Sequence, residues 1–261
     1  MNHQYFSFWR NNHKLTTLVM GVSFVIATFP AYAEFKPRDR RPANQTTNAT
    51  SLQITFRPRD RRVASGNSRA GGSRGGCASN GIPLTLLAPK TFVGETASTR
   101  PMLAWYMSSS QTVRFGLFEL RSGTPKRIGQ PKEIPAIIGI NKLKLPLDYP
   151  ELAVGKTYIW QISLDCEKDT IVNRVEFTVT QSLPNKRFTS IQERVNYYGE
   201  NGLWYEALEE ALKETSNGKL TQIGSKLVQN LAQLDNLIGT EANPENTKQR
   251  IENLRKISVI N

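Results

Sequence analysis

The chain has 261 residues, with 34 lysines and arginines against 22 acids, a net charge of +12, two cysteines and two histidines. That length exceeds one typical domain only modestly. Both histidines, His3 and His13, stand at the very start. A product that loses this start has no imidazole, which excludes Ser-His-Asp or Cys-His nucleophiles and a histidine-held zinc.

Loss of that start is expected. Arg10 and Lys14 precede an apolar run from Leu15 to Phe29; Pro30 breaks it, and Ala31-Tyr32-Ala33 follows. A basic start, a short apolar stretch and an A-x-A site form a cleavable secretory signal. The run falls short of the ~20 apolar residues that span a bilayer. No twin arginine leads it, which points to the general secretory route. No cysteine stands at the cut, so a lipid anchor is unsupported. Residues 1–33 therefore read as a signal peptide, cleaved after Ala33 to leave a periplasmic or extracellular product without a transmembrane anchor. Cys77 and Cys166 are an even pair in an exported chain, which predicts a disulfide. Such a bridge stabilises by roughly 2–4 kcal/mol. Two unpaired thiols are the alternative.

Residues 34–76 hold most of the excess charge. From Phe35 to Gly76 ten basic residues face only Asp39 and Asp60. Phe35-Lys36-Pro37-Arg38-Asp39-Arg40-Arg41 recurs as Phe56-Arg57-Pro58-Arg59-Asp60-Arg61-Arg62, and polar residues and glycine fill the rest. So little apolar content predicts a disordered basic arm. Its candidate contacts with an anionic partner are Arg38, Arg40, Arg41, Arg59, Arg61 and Arg62. Export favours acidic polysaccharide, peptidoglycan, lipid head groups or another envelope protein over nucleic acid. A solvated spacer is the plain alternative.

Residues 77–183 alternate with period two. Apolar runs fall at Leu84–Leu87, Leu103–Met107, Val113–Leu117, Ile134–Ile138, Leu143–Leu145, Tyr158–Leu164 and Val175–Val179, with a turn at Arg121-Ser122-Gly123. Seven short strands without helix predict an antiparallel, immunoglobulin- or fibronectin-like β-sandwich. Leu152 to Trp160 resembles the turn and tyrosine-bearing strand of fibronectin type III modules. Residues 184–261 change to helical spacing. Phe188, Ile191, Val195 and Tyr198 mark a first helix, with Ser190 and Glu193 as a capping box. After Asn201-Gly202, Trp204, Leu208 and Leu212 mark a second helix, in a pattern similar to one tetratricopeptide hairpin. Leu220 through Ile238 carries an apolar stripe, and Pro244 opens a fourth helix. That stripe is expected to pack within the chain, with a partner helix as the alternative. The fold class is thus α+β by segregated modules, a sandwich followed by a small helical domain.

Four segments in order carry a family resemblance: Arg69 to Cys77 with Leu84 to Pro89, Thr99-Arg100-Pro101 with Trp105-Tyr106, Gly155 to Cys166, and Gly202 to Leu208. Together they resemble the exported, mainly cyanobacterial proteins grouped as domain of unknown function 928. The resemblance implies a β module joined to a helical hairpin behind a signal peptide. It implies no activity.

No catalytic set, cofactor site or metal site emerges. Asp165, Glu167 and Asp169 flank Cys166 but read as a solvated turn rather than a glycosidase pair. Trp105 and Trp160 are a candidate aromatic ligand surface, though alternating aromatics on strands more often pack inward. The expected function is a non-enzymatic binding or scaffolding module of the cell envelope. A carboxylate-based hydrolase of envelope polysaccharide is the alternative.

Overall fold

Among the described residues, eight strands are followed by four helices. The structure, a computed structural model, describes residues 52–65, 81–166, 169–215, 217–238 and 244–260. The strands are β1 (Thr85–Leu86), β2 (Gly94–Thr96), β3 (Met102–Met107), β4 (Gln111–Arg121), β5 (Thr124–Ala136), β6 (Gly139–Lys144), β7 (Thr157–Asp165) and β8 (Thr170–Val179). One sheet has the order β1-β3-β6 and the other β2-β8-β7-β4-β5. The helices are α1 (Ile191–Glu200), α2 (Trp204–Ala211), α3 (Gln222–Ile238) and α4 (Pro244–Val259).

Local chemistry sets the turns. Ser122 and Gly123 both take positive φ, 47° and 80°. Arg121 pairs with Thr124 across them. This two-residue loop follows the right-handed twist of its strands. The edge strand β5 carries Pro125, Pro131 and Pro135, which lack N–H groups and blunt that edge against further pairing. Tyr158 on β7 accepts a hydrogen bond from the Ala153 N–H at 2.9 Å, tying the preceding turn to the strand. Ser190 caps α1 by accepting from the Glu193 N–H at 3.1 Å. The Glu193 carboxylate accepts in return from Thr189, and these hydrogen bonds hold it below the usual carboxylate range.

Four expectations need correction. The pairing is not wholly antiparallel: β2 runs parallel to β8, with Gly94 opposite Phe177. Its sequence, Gly-Glu-Thr, has no apolar alternation, so only tertiary pairing makes it a strand. The fifth strand also extends well before Ile134, while Ile137 and Ile138 lie beyond its end and are exposed.

The strands and helices are also not segregated, because Thr50–Asn261 form one compact unit. Residues of both sheets and all four helices join one apolar cluster. Trp204 and Tyr205 open α2 and are fully enclosed. The Trp204 indole donates to the Leu87 carbonyl at 2.9 Å, and the Trp160 indole donates to the Tyr205 hydroxyl at 3.1 Å. Tyr205 also lies 5.1 Å from the Phe177 ring. Aromatic bodies with satisfied polar tips can sit this deep. The Leu220–Ile238 stripe is spent inside the chain, with Leu227 and Leu231 fully buried.

Finally, the predicted disorder of residues 34–76 does not hold for residues 52–65. They form a basic strap against the body, in which Ile54, Phe56 and Ala64 are buried. The first copy of the repeated motif lies outside the described residues.

A buried ion pair ties the last two helices to the start of the β region. Asp235 on α3 is fully enclosed and lies 2.9 Å from Arg250 Nε on α4. Arg250 also donates to the carbonyls of Leu86 (3.1 Å) and Ala88 (2.5 Å). Asp235 accepts from the Thr91 hydroxyl at 2.7 Å. Removing one partner leaves an uncompensated buried charge. Asp235→Ala is expected to cost about 3–5 kcal/mol in urea unfolding, and Asp235→Leu with Arg250→Met to recover most of it.

Candidate interaction site at the basic strap

The second motif copy is built onto the body by backbone bonds and one aromatic anchor. Asn196 on α1 receives the Thr55 N–H at 3.0 Å, and its amide donates to the Gln53 carbonyl at 3.0 Å. The Phe56 N–H reaches Asn230 on α3 at 3.4 Å, and the Arg57 N–H reaches the Gly199 carbonyl at 2.9 Å. Between these bonds the Phe56 ring meets Trp204 edge-on at 5.1 Å and stacks on Phe92 at 6.4 Å. Further along, Val93 N–H donates to the Arg62 carbonyl at 3.0 Å and Ala64 N–H to the Thr91 carbonyl at 3.3 Å. Val63 and Phe92 thus form an antiparallel bridge. Ser65 closes the strap on the buried Glu176 carboxylate.

Two glycines make room for this crossing. A Cβ on Gly199 would stand 2.3 Å from the Thr55 carbonyl oxygen. Gly202 has φ of +72°, and its Cβ would meet the Arg59 N at 2.9 Å. The Asn201-Gly202 turn is therefore both a helix connector and a seat for the motif.

With Phe56 inward, the charged side chains remain outward. Arg57, Arg59, Arg61 and Arg62 are all exposed. Arg59 donates to the Asn201 carbonyl and lies 4.0 Å from Glu95. Burial raises the Glu95 carboxyl above its ordinary value, and the Arg59 charge opposes that shift. Arg62 donates to the Thr178 hydroxyl at 2.9 Å, while Asp60 accepts the Arg62 N–H at 2.9 Å in a local turn. Arg57 and Arg61 have no side-chain hydrogen bond or ion pair among the described residues.

The remaining sequence candidates separate clearly. Arg38, Arg40, Arg41 and Cys77 lie outside the described residues. Cys166 directly follows β7 and is partly buried. Trp105 and Trp160 are not a ligand surface: they are 1% and 0% exposed, because both project into the common apolar cluster. Asp165 is exposed and paired with Arg114 at 2.8 Å, and Cys166 N–H bonds the Asp169 carbonyl at 2.8 Å, as in a solvated turn. Glu167 lies outside the described residues. Among the described residues no His, Cys, Asp and Glu cluster could hold a metal, and no helix is long and apolar enough to cross a membrane. Sequence reading missed Glu206. Its carboxylate accepts from Thr96 Oγ1 (2.7 Å) and from the N–H groups of Ala97 and Ser98 (both 2.9 Å), joining α2 to β2.

Residues 69–242 match the family described as Domain of Unknown Function (DUF928), and the chain belongs to that family. The strap lies just before the matched stretch. No curated protein matches. Among solved structures the chain is similar to the solution structure of the third fibronectin III domain of the human KIAA0343 protein. That similarity has 11% identity and a TM-score of 0.24, covering 45% of this chain and 100% of that one.

Gly199→Ala separates strap docking from the rest of the fold, since the new methyl meets Thr55 rather than the core. Trypsin cleavage after Arg59, Arg61 or Arg62 is expected to speed up several-fold, with the far-ultraviolet circular dichroism unchanged. Cleavage at the wild-type rate would show that the crossing tolerates the methyl.

Proposed function

We propose that this protein is exported, loses residues 1–33 after Ala33, and works in the cell envelope as a non-enzymatic module that binds an anionic polymer. Acidic polysaccharide or peptidoglycan is the partner class, and nucleic acid is disfavoured by export. The observation that carries the reading is the strap itself: Phe56 is buried while four arginines within six residues face solvent. Such a row presents guanidiniums from a fixed backbone, so little ordering entropy opposes binding. Arg57 and Arg61 have their donors free for carboxylates, sulfates or phosphates. The first copy would add Arg38, Arg40 and Arg41 to the same contact. The two sheets are read as facing one another in a sandwich, a view supported by their shared apolar cluster.

Replacing Arg57, Arg61 and Arg62 together by Gln tests the contact. At roughly 0.5 kcal/mol per exposed charge pair, retention on peptidoglycan or an acidic polysaccharide at low salt should fall about 10-fold. Wild-type retention should itself decline steeply with salt. Equal retention of variant and wild type would remove the strap as the contact.

A Cys77–Cys166 bridge belongs to the same proposal. The even cysteine count in an exported chain supports the pairing, and Cys166 sits partly buried just after β7. Peptide maps of the native protein should yield one linked pair without reductant. Two alkylatable thiols would refute the bridge.

A further inference from the structure

On a different face of the chemistry lies a hollow lined by β1, β8, α4 and the loop that carries Lys90. Its volume is about 120 Å³. That is well below the ~300–1,000 Å³ of sites that enclose a drug-sized molecule, and it suits a single small group. The charged and amide side chains of the lining are Lys90, Arg250, Asn173, Asn246, Gln249 and Asn253, and no carboxylate lines it. The rest is Thr85, whose hydroxyl donates to the Pro83 carbonyl at 2.7 Å, and the apolar Pro83, Leu84 and Ile171.

Three features give this lining a sign. Arg250 spends three of its five N–H groups inward, on Asp235, Leu86 and Ala88, which fixes the guanidinium in place. Asn173 donates one N–H to the Leu84 carbonyl at 3.0 Å, and Gln249 donates one to Asn253 Oδ1 at 3.2 Å. Each amide nitrogen keeps a second N–H. Lys90 is partly buried, yet no hydrogen bond or ion pair reaches its ammonium among the described residues. The charges that face it are Arg250 from α4, Asp235 from α3 and Arg174 from β8. Asp235 is already committed to Arg250 and Thr91. Burial first, and then the Arg250 charge, lower the Lys90 ammonium to about 8. A donor-rich, acid-free hollow around an uncompensated cation lacks one thing, a negative charge.

We propose that this hollow binds a small oxyanion group, phosphate- or sulfate-like, with Lys90 as the charge partner and the Asn173, Gln249 and Asn253 amides as hydrogen-bond donors. The group would arrive either as the free ion or as an ester on a sugar, and the chemistry at the hollow is the same. The site stands apart from the strap and does not depend on the strap's partner.

The test titrates the full chain with sodium sulfate at an ionic strength held constant with chloride, read by calorimetry and by backbone amide shifts. Saturable binding is expected, with shifts centred on Lys90, Asn173 and Asn253. Lys90→Met should weaken it at least 10-fold. Gln249→Ala, at an exposed helix position, should fold normally and weaken it about 3-fold. Sulfate keeps its charge between pH 6 and 9, whereas Lys90 loses its proton as pH rises through about 8. Affinity should therefore fall across that window in wild type and stay flat in Lys90→Met. A second arm compares inorganic phosphate with glucose 6-phosphate. Tighter binding of the ester assigns a group carried on sugar, and equal or weaker binding assigns the free ion. The proposal fails if none of these probes saturates, or if Lys90→Met or a folded Gln249→Ala binds as wild type does.

Discussion

The insertion of Trp204 and Tyr205 into the β core is the contact on which the rest of this structure depends. Two large aromatic side chains at the head of α2 are enclosed completely, and each finds a partner for its polar atom in the strand region. An aromatic pair of this kind stabilises through buried area and ring geometry together. It also removes any freedom for the helices to act as a separate module. Glu206 on the next residue repeats the tie by accepting three hydrogen bonds at the end of β2. Burial raises that carboxyl above its ordinary range, the cost of placing an acid so deep.

The strap follows from the same contact. Trp204 presents one edge to Phe56, and Gly199 near the end of α1 with Gly202 in the α1–α2 turn leaves a shallow track for backbone. A segment too polar to fold by itself is held because it borrows an apolar wall and backbone partners already in place. Its charge is then displayed rather than dispersed. The Asp235–Arg250 pair acts similarly at the other end, where one guanidinium joins α3, α4 and the carbonyls around β1. The strap displays positive charge at the surface, whereas the buried pair fixes one guanidinium beside the hollow that holds Lys90.

Much of the architecture was legible from periodicity. Tyr158, Trp160, Ile162 and Leu164 alternate, and β7 buries all four. Ser190 caps a helix where its spacing from Glu193 suggests it would. Ser122-Gly123 turns as its residue types require. The candidate site was legible only in part. The repeat drew attention to Phe56–Arg62, but its composition spoke for disorder, because a local sum of apolar residues cannot register a wall supplied by Trp204 and Phe92. The same blindness made Trp105 and Trp160 look available for a ligand. Lys90 gave no signal at all, since one lysine beside a proline is ordinary in sequence.

By itself, the amino-acid sequence determined where most strands and the four helices fall, which face of each is apolar, and where the chain turns, because these depend on neighbours within a few residues. Tertiary structure decided what covers each face. It made a strand of Gly94–Thr96 through pairing with β8, a docked strap of an arginine-rich tract, and a donor-lined hollow of residues that are far apart in the chain. Burial and electrostatic environment arise from surfaces brought together over long separations, and no local pattern encodes them.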